Sequence, residues 1–313
     1  MSIYIADAHC DFLAHSMECG CRLDRKCGKR TTFLNDMLSN HIHLQNFAIW
    51  TGKSDHAENC RRQLDIYKDA LKHPDIVPLT KGSLRNFTFH QSGPSAKLPN
   101  KLFTALSLEG ADAIAEDSDI LPELLQAGLS SVSLTWNHSN IFGGGVDDGG
   151  MLTVNGKELI KELAGYKVAI DVSHLSPATF WDVAAHAQYP IMASHSNSWH
   201  VKAHKRNLSR EQILEIIDQK GFIGINFYAP FLGKMPSMEH VAKNIDYICN
   251  KGGAKTVGFG ADFDMTDNLP RNCSGMSSYW NVVKILRSWG YSDTVLEDIC
   301  GNNYLRYISQ FVK

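Results

Sequence analysis

Ile3-Tyr4-Ile5-Ala6-Asp7-Ala8-His9-Cys10-Asp11 opens the chain as a short apolar strand whose far end turns ionisable. Strand side chains alternate between faces, so Ile3, Ile5, Asp7, His9 and Asp11 share one. Three ionisable groups on a buried face are costly unless something neutralises them. A divalent cation taking the His9 imidazole and the Asp11 carboxylate would do so, and zinc accepts such a nitrogen and oxygen mixture. Taken alone, the triplet also reads as a turn-capping Asp7 beside a satisfied core histidine. The rest of the chain decides between the two.

Beyond residue 11 a short apolar run, a loop and a helical pattern recur. The runs at 3–9, 44–50, 102–108, 129–135, 167–172, 190–194, 221–226 and 256–261 predict eight strands. Amphipathic stretches lie between them at 57–72, 119–127, 155–165, 177–187, 209–219 and 238–250. Helix starts are signalled by the capping box Ser209-x-x-Gln212 with Leu208 and Ile213 as a staple, by a similar Asn155-x-x-Glu158, and by Ser176 ahead of Pro177. Eight strands alternating with helices predict parallel pairing, and eight closes a (β/α)8 TIM barrel. Two further helices, about 277–289 and 293–309, would pack outside the barrel or across one end. Residues 1–313 then form a single domain. A doubly wound open sheet is the rival, but no glycine-rich phosphate turn follows the first strand.

In such barrels reactive groups gather where strands end. The first strand ends in His9-x-Asp11, the third in Glu109, the fifth in Ser173-His174, the sixth in Ser194-His195 and the eighth in Asp262-Phe263-Asp264. Five of eight strands thus end in metal-ligand residue types, a register that scattered core histidines would not produce. The expected site holds two metals: His9 and Asp11 on one, His174 and His195 on the other, Glu109 bridging. Two divalent ions, two carboxylates and a hydroxide leave one net positive charge. Paired ions acidify the water between them and produce a nucleophile at neutral pH. Asp262, not needed as a ligand, would carry a proton to a leaving amine. The plainer readings are a loop cap for Asp262 and a helix-start charge for Glu109.

With 43% hydrophobic and 20% charged residues and a net charge of −2, the composition is that of an ordinary soluble protein, with no pull towards nucleic acid or anionic membranes. No apolar run is long enough to span a bilayer, and neither a secretory signal nor a lipid-anchor tail is legible, so the expected compartment is the cytoplasm, without a membrane anchor. A structural zinc at Cys19, Cys21, Cys27 and Cys60 matches no known finger or ribbon spacing. Reduced thiols are expected instead.

These residues resemble the membrane (renal) dipeptidase family of zinc metallopeptidases over nearly the whole chain. The motifs are Asp7-x-His9-x-Asp11, Ser107-Leu108-Glu109-Gly110, Leu134-Thr135-Trp136-Asn137, Asp171-Val172-Ser173-His174 and Ser194-His195-Ser196, then Arg206-Asn207-Leu208, Asn226-Phe227-Tyr228, Gly258 to Asp264 and Gly301-Asn302-Asn303. The resemblance implies a metal-dependent hydrolase barrel with two zinc ions and a glutamate bridge. It implies hydrolysis of dipeptides bearing a free C-terminal carboxylate, with Arg206 and Tyr228 contacting the substrate. A guanidinium suits a carboxylate, although Arg206 alone also reads as a loop charge. The family often dimerises, so a homodimer is one assembly it admits.

The chain departs from the family in three places. Its animal members are secreted and lipid-anchored. Cys10 stands where Asn is common, facing away from the metals. Trp136 follows Leu134-Thr135 where the family has a substrate-binding histidine; His138 is nearby, and an oxyanion contact from it stands beside an ordinary loop histidine as a reading. Gly143-Gly144-Gly145 suggests a flexible loop at the pocket mouth. The alternative function is a related metal-dependent amidohydrolase acting on a non-peptide amide, lactone or nucleobase, and a third is a non-catalytic binding barrel. His9-x-Asp11 in place of H-x-H, the third-strand Glu109 and no lysine near Trp136 favour the dipeptidase.

Overall fold

The computed structural model describes residues 3–25, 32–85, 100–264 and 266–313. Its strands are β1 (Ile5–Asp7), β2 (Ile42–Trp50), β3 (Ile76–Pro78), β4 (Leu102–Glu109), β5 (Leu129–Ser133), β6 (Ala169–Asp171), β7 (Met192–Ala193), β8 (Phe222–Ile225) and β9 (Val257–Phe259). All pair in parallel, in the order β2-β1-β9-β8-β7-β6-β5-β4, and β4 returns to β2 from Leu44↔Phe103 to Trp50↔Glu109. Eight strands therefore close into a (β/α)8 barrel, as expected. The ninth, β3, was not foreseen. It pairs with Leu102–Thr104 of β4, while β5 takes the same strand from Leu106 to Glu109, so β3 hangs outside the ring.

Small and large residues share the barrel interior: Ala6, Ala8, Leu44, Phe103, Ala105, Ala169, Met192 and Phe222 pack in one buried cluster. The C-terminal helix Asn303–Ile308 completes this cluster with Tyr304, Tyr307 and Ile308, followed by Phe311. Tyr307 Oη donates to the Pro190 carbonyl ahead of β7, so this helix closes the end of the barrel where strands begin. The helix expected over 293–309 runs from Asp293 to Ile308 and contains a π turn at Asp298–Asn302. The π turn has a packing cause. Gly301 lies so close to the Tyr4 ring that a Cβ would overlap it, and Tyr4 Oη donates to Asn302 Oδ1.

The Ser209 capping box forms in both directions, and Ser176 accepts the Thr179 N–H ahead of Pro177. The start expected at Asn155 is corrected: Thr153, two residues earlier, is the N-cap and accepts from Gly156 N–H, so the third helical position is Gly156 and not Glu158. Gly143-Gly144-Gly145 is also not a loose flap. Gly144 donates to Thr179 Oγ1 and Gly145 to Ser139 Oγ, and a Cβ on either would overlap the backbone of Gly149 or Asn137. Close approach, not mobility, requires these glycines. Of the cysteines expected as thiols, Cys10, Cys19, Cys60, Cys249, Cys273 and Cys300 are free. Cys21 is disulfide-bonded, which corrects that expectation; the left-handed Gly20 returns the chain so that Cys21 N–H reaches Cys19 Sγ. Cys27 lies outside the described residues. Among the described residues no helix is long and apolar enough to cross a membrane.

Asp7 is the joint between the first and last strands. Its fully buried carboxylate accepts from His9 N–H at 2.9 Å, Gln45 Nε2 at 3.1 Å, Ala261 N–H at 2.9 Å and Tyr279 Oη at 2.7 Å. Burial raises its pKa against the pull of these donors. Truncating it orphans several buried donors at once, each costing about 1–3 kcal/mol. Asp7→Ala should therefore lower the urea-unfolding free energy by about 3–5 kcal/mol, followed by circular dichroism. A loss below about 1 kcal/mol would mean that the joint is held elsewhere.

Candidate metal centre

The parallel ring places the C-terminal ends of its strands at one mouth, and the loops leaving them deliver the ionisable residues there. Glu109 is the last residue of β4; His9, His174, His195 and Asp262 follow β1, β6, β7 and β9 within three residues. Asp11 stands where the helix Phe12–Cys19 begins. All six are at least nine-tenths buried. Backbone packing at β8 and β9 holds part of this geometry: a Cβ at Gly224 or Gly260 would overlap the Ser194 carbonyl oxygen, next to His195.

Glu109 occupies the middle. Its Oε1 lies 2.8 Å from His174 Nε2, 3.4 Å from His195 Nε2 and 3.7 Å from His9 Nε2. His9 Nε2 is also 3.7 Å from Asp11 Oδ1 and from Asp262 Oδ1. His174 and His195 approach through Nε2 at 2.8 Å. Ligand-type atoms of His9, Glu109 and His195, and again of His9, Asp11 and Asp262, lie within 4.8 Å of one another. His9 Nε2 and Asp11 Oδ1 are buried without a hydrogen-bond partner. Buried lone pairs with no protein donor fit a divalent cation, and the imidazole and carboxylate set fits zinc.

Outer contacts aim these atoms. His174 Nδ1 donates to Asn137 Oδ1 at 2.8 Å, leaving the Nε2 lone pair free to point inward. His195 Nδ1 is 2.7 Å from Ser194 Oγ, whose own proton goes to Asp171 Oδ2. Asp171 Oδ1 accepts from Ser173 Oγ and from the Ser194 N–H. Asn226 Nδ2 donates to Asp262 Oδ2 at 2.8 Å, which leaves Oδ1 facing the cluster. Asn137, Asn226 and Ser194 stand inside motifs read from the sequence, but their aiming role was not; residues adjoining strand-end ligands were the available signal.

The charges show the strain of bringing these groups together. Burial, reinforced by Asp262, pushes Glu109 up to about 7 even though His9 and Arg206 oppose it. Burial and Asp11 likewise push Asp262 up to about 7. Burial disfavours a charged His9, yet Glu109, Asp11 and Asp262 outweigh it and raise the imidazole to about 10. Burial, then nearby positive charge, holds His174 and His195 well below the usual histidine range, so both present neutral lone pairs.

A cavity of about 590 Å³ opens above the cluster. Its lining includes Asp11, Glu109, His174, His195 and Asp262, together with Arg206 and Tyr228. Arg206 Nη2 is 3.0 Å from both His174 Nε2 and His195 Nε2, while its buried Nη1 has no partner. His138 is not brought into this lining: its side chain is 63% exposed and faces Asp148 at 3.2 Å. Trp136 is there instead, stacked on His174 at 6.1 Å and packed 5.3 Å from Trp50. Trp50 ends β2 and was passed over because it does not ionise. Cys10 stays outside the cluster, buried against Thr32 Oγ1.

If Asn137 and Ser194 aim the imidazoles at a metal, Asn137→Ala and Ser194→Ala should each weaken zinc affinity by about 10–100-fold with the fold retained. Competition against a chelating dye measures this, and affinity within twofold of the parent would remove them from that role.

The match to the family model of the membrane dipeptidases, peptidase family M19, runs over residues 1–313. A Klebsiella pneumoniae protein described only by its place 5′ of pqqA is 34% identical over 261 residues, 79% of this chain and 94% of that one. The dipeptidase verJ of Clonostachys rogersoniana is 25% identical over 271 residues, 84% of this chain and 68% of its own. In fold, the chain superposes with a TM-score of 0.87 on a Rhodobacter sphaeroides metallopeptidase solved with a phosphinate mimic of L-Ala-D-Ala, at 23% identity over 99% of this chain and 100% of the other. Strand-end imidazoles and carboxylates, closed barrel and whole-length match agree: the chain belongs to the membrane dipeptidase family.

Proposed function

We propose that this protein is a zinc-dependent dipeptidase acting as a single domain on dipeptides with a free C-terminal carboxylate. The observation that carries the reading is the convergence of His9, Asp11, Glu109, His174 and His195, in which the buried His9 Nε2 and Asp11 Oδ1 meet no protein donor. His9 and Asp11 would hold one zinc and His174 and His195 a second, with Glu109 between the pairs. Bound there, the ions would polarise the scissile carbonyl and acidify a water.

The chain's own residues do the rest. Trp50 and Trp136 wall the cavity and exclude bulk water from the cluster. Arg206 is fully desolvated, and burial lowers its pKa to about 10, which leaves it charged at neutral pH. Nη1 is its free donor for a substrate carboxylate, while Nη2 is engaged with the imidazoles. Tyr228 lines the same cavity and packs edge-on at 4.8 Å against Phe231, whose ring also carries the Arg206 guanidinium at 5.5 Å. Asp262 keeps Oδ2 on Asn226 and Oδ1 towards the cluster, so Oδ1 is the atom that takes a proton and returns it to the leaving amine.

A charge-assisted, desolvated contact of the Arg206 kind contributes about 1.5–3 kcal/mol. Arg206→Ala should lower kcat/KM for a dipeptide acid by about ten- to a hundred-fold. The same change should matter far less for the dipeptide amide, whose C-terminus is neutral. Steady-state kinetics on the acid and amide pair reads this difference. Equal losses on both would mean that Arg206 only supports His174 and His195.

A further inference from the structure

The Arg206 guanidinium is seated between the cluster and an aromatic ring. Nη2 lies on the imidazoles of His174 and His195, Nη1 has no partner, and the guanidinium carbon lies over the Phe231 ring, 5.5 Å from its centroid. The carboxylates of Asp262, Glu109, Asp171 and Asp147 attract it at longer range. The imidazole contacts use the lone pairs that the proposed zinc would take, and a positive metal centre repels a guanidinium. The ring contact does not compete with a metal. An aromatic face attracts a cation through its quadrupole, most strongly where water is excluded, and Arg206 and Phe231 are only 5% and 8% exposed.

Phe231 is itself firmly placed. It belongs to the short helix Ala229–Leu232 that follows β8, where Ala229 N–H donates to the Asn268 carbonyl and Leu232 is fully buried. Around the ring, Tyr228 packs edge-on at 4.8 Å and the His204 imidazole tilts against it at 4.7 Å. Arg206 N–H donates to His204 Nδ1 at 3.2 Å. Asn207 Nδ2 donates to the Phe231 and Lys202 carbonyls, each at 2.8 Å, and so ties the arginine's loop to the helix. Ring and guanidinium thus follow different strands, β8 and β7, yet their backbones are fastened to each other.

We propose that Phe231 is a positioning residue for substrate binding: its face holds the Arg206 guanidinium so that Nη1 meets the substrate carboxylate, and this sets the preference for a free C-terminus. This rests on the dipeptidase reading. The physical gain is preorganisation. A long arginine side chain that is already placed loses less conformational freedom when the carboxylate arrives.

The test replaces Phe231 by a trifluorinated phenylalanine, which keeps the ring's shape while the electron-withdrawing fluorines weaken the negative face. Zinc-loaded parent and variant are compared on a dipeptide acid and its amide. The variant should lose about three- to thirtyfold in kcat/KM on the acid, mostly through KM, and less on the amide, so the acid-to-amide ratio falls. Phe231→Leu should lower the ratio at least as far, whereas Phe231→Tyr, which retains an aromatic face, should hold it within about twofold of the parent. Calorimetric titration with a non-hydrolysable dipeptide analogue, as acid and as amide, should rank the proteins in the same order by Kd. In an Arg206→Ala background the fluorinated ring should change the ratio by less than about twofold, because no guanidinium remains to be placed. A ratio untouched by fluorination, or one that falls as far without Arg206, would overturn the assignment. A parent that cleaves neither compound would instead overturn the dipeptidase reading on which it rests.

Discussion

The constraint on which this structure depends is electrostatic. Glu109, Asp11 and Asp262 crowd three imidazoles and a guanidinium at the mouth of a barrel from which water is largely excluded. In water such groups would interact weakly; buried, each carries a desolvation penalty that only compensating charge offsets. The shifted ionisation of Glu109, Asp262 and His9 is the signature of that penalty. Divalent cations reverse its sign by holding the carboxylates ionised and the imidazoles neutral.

The barrel exists around that cluster as a positioning frame. Asp7 joins β1 to the loop after β9 and so fixes His9 and Asp11 relative to Asp262. On the far side, Asp171 organises Ser173 and Ser194, and Ser194 orients His195. Neither aspartate belongs to the cluster, yet each spends its lone pairs on aiming a residue that does. The same economy explains Gly224 and Gly260, whose missing side chains let the backbone of β8 and the end of β9 press on Ser194.

Much of this was legible from the sequence because both signals are local. Parallel strands buried on both faces read as apolar runs, and in a barrel the next few residues form the active face. That rule located His9, Asp11, Glu109, His174, His195 and Asp262 without tertiary information. What it missed depended on pairing at a distance. β3 is three residues long and gains its place only from the free half of β4. The π turn at Asp298–Asn302 follows from contact with Tyr4, almost three hundred residues away in the chain. His138 read as a candidate substrate contact by its nearness to Trp136, but its side chain faces Asp148 in solvent, and no local pattern distinguishes the two directions.

The central claim is that the buried cluster is a pair of adjoining metal sites bridged by Glu109. Its most direct test is the metal content of zinc-reconstituted protein by elemental analysis, with native mass spectrometry to resolve the occupancy of each chain. The account predicts about two zinc ions per chain, falling to about one or fewer in Glu109→Ala, because both sites share that carboxylate. A reproducible content near zero in the parent, or two ions retained without Glu109, would contradict it.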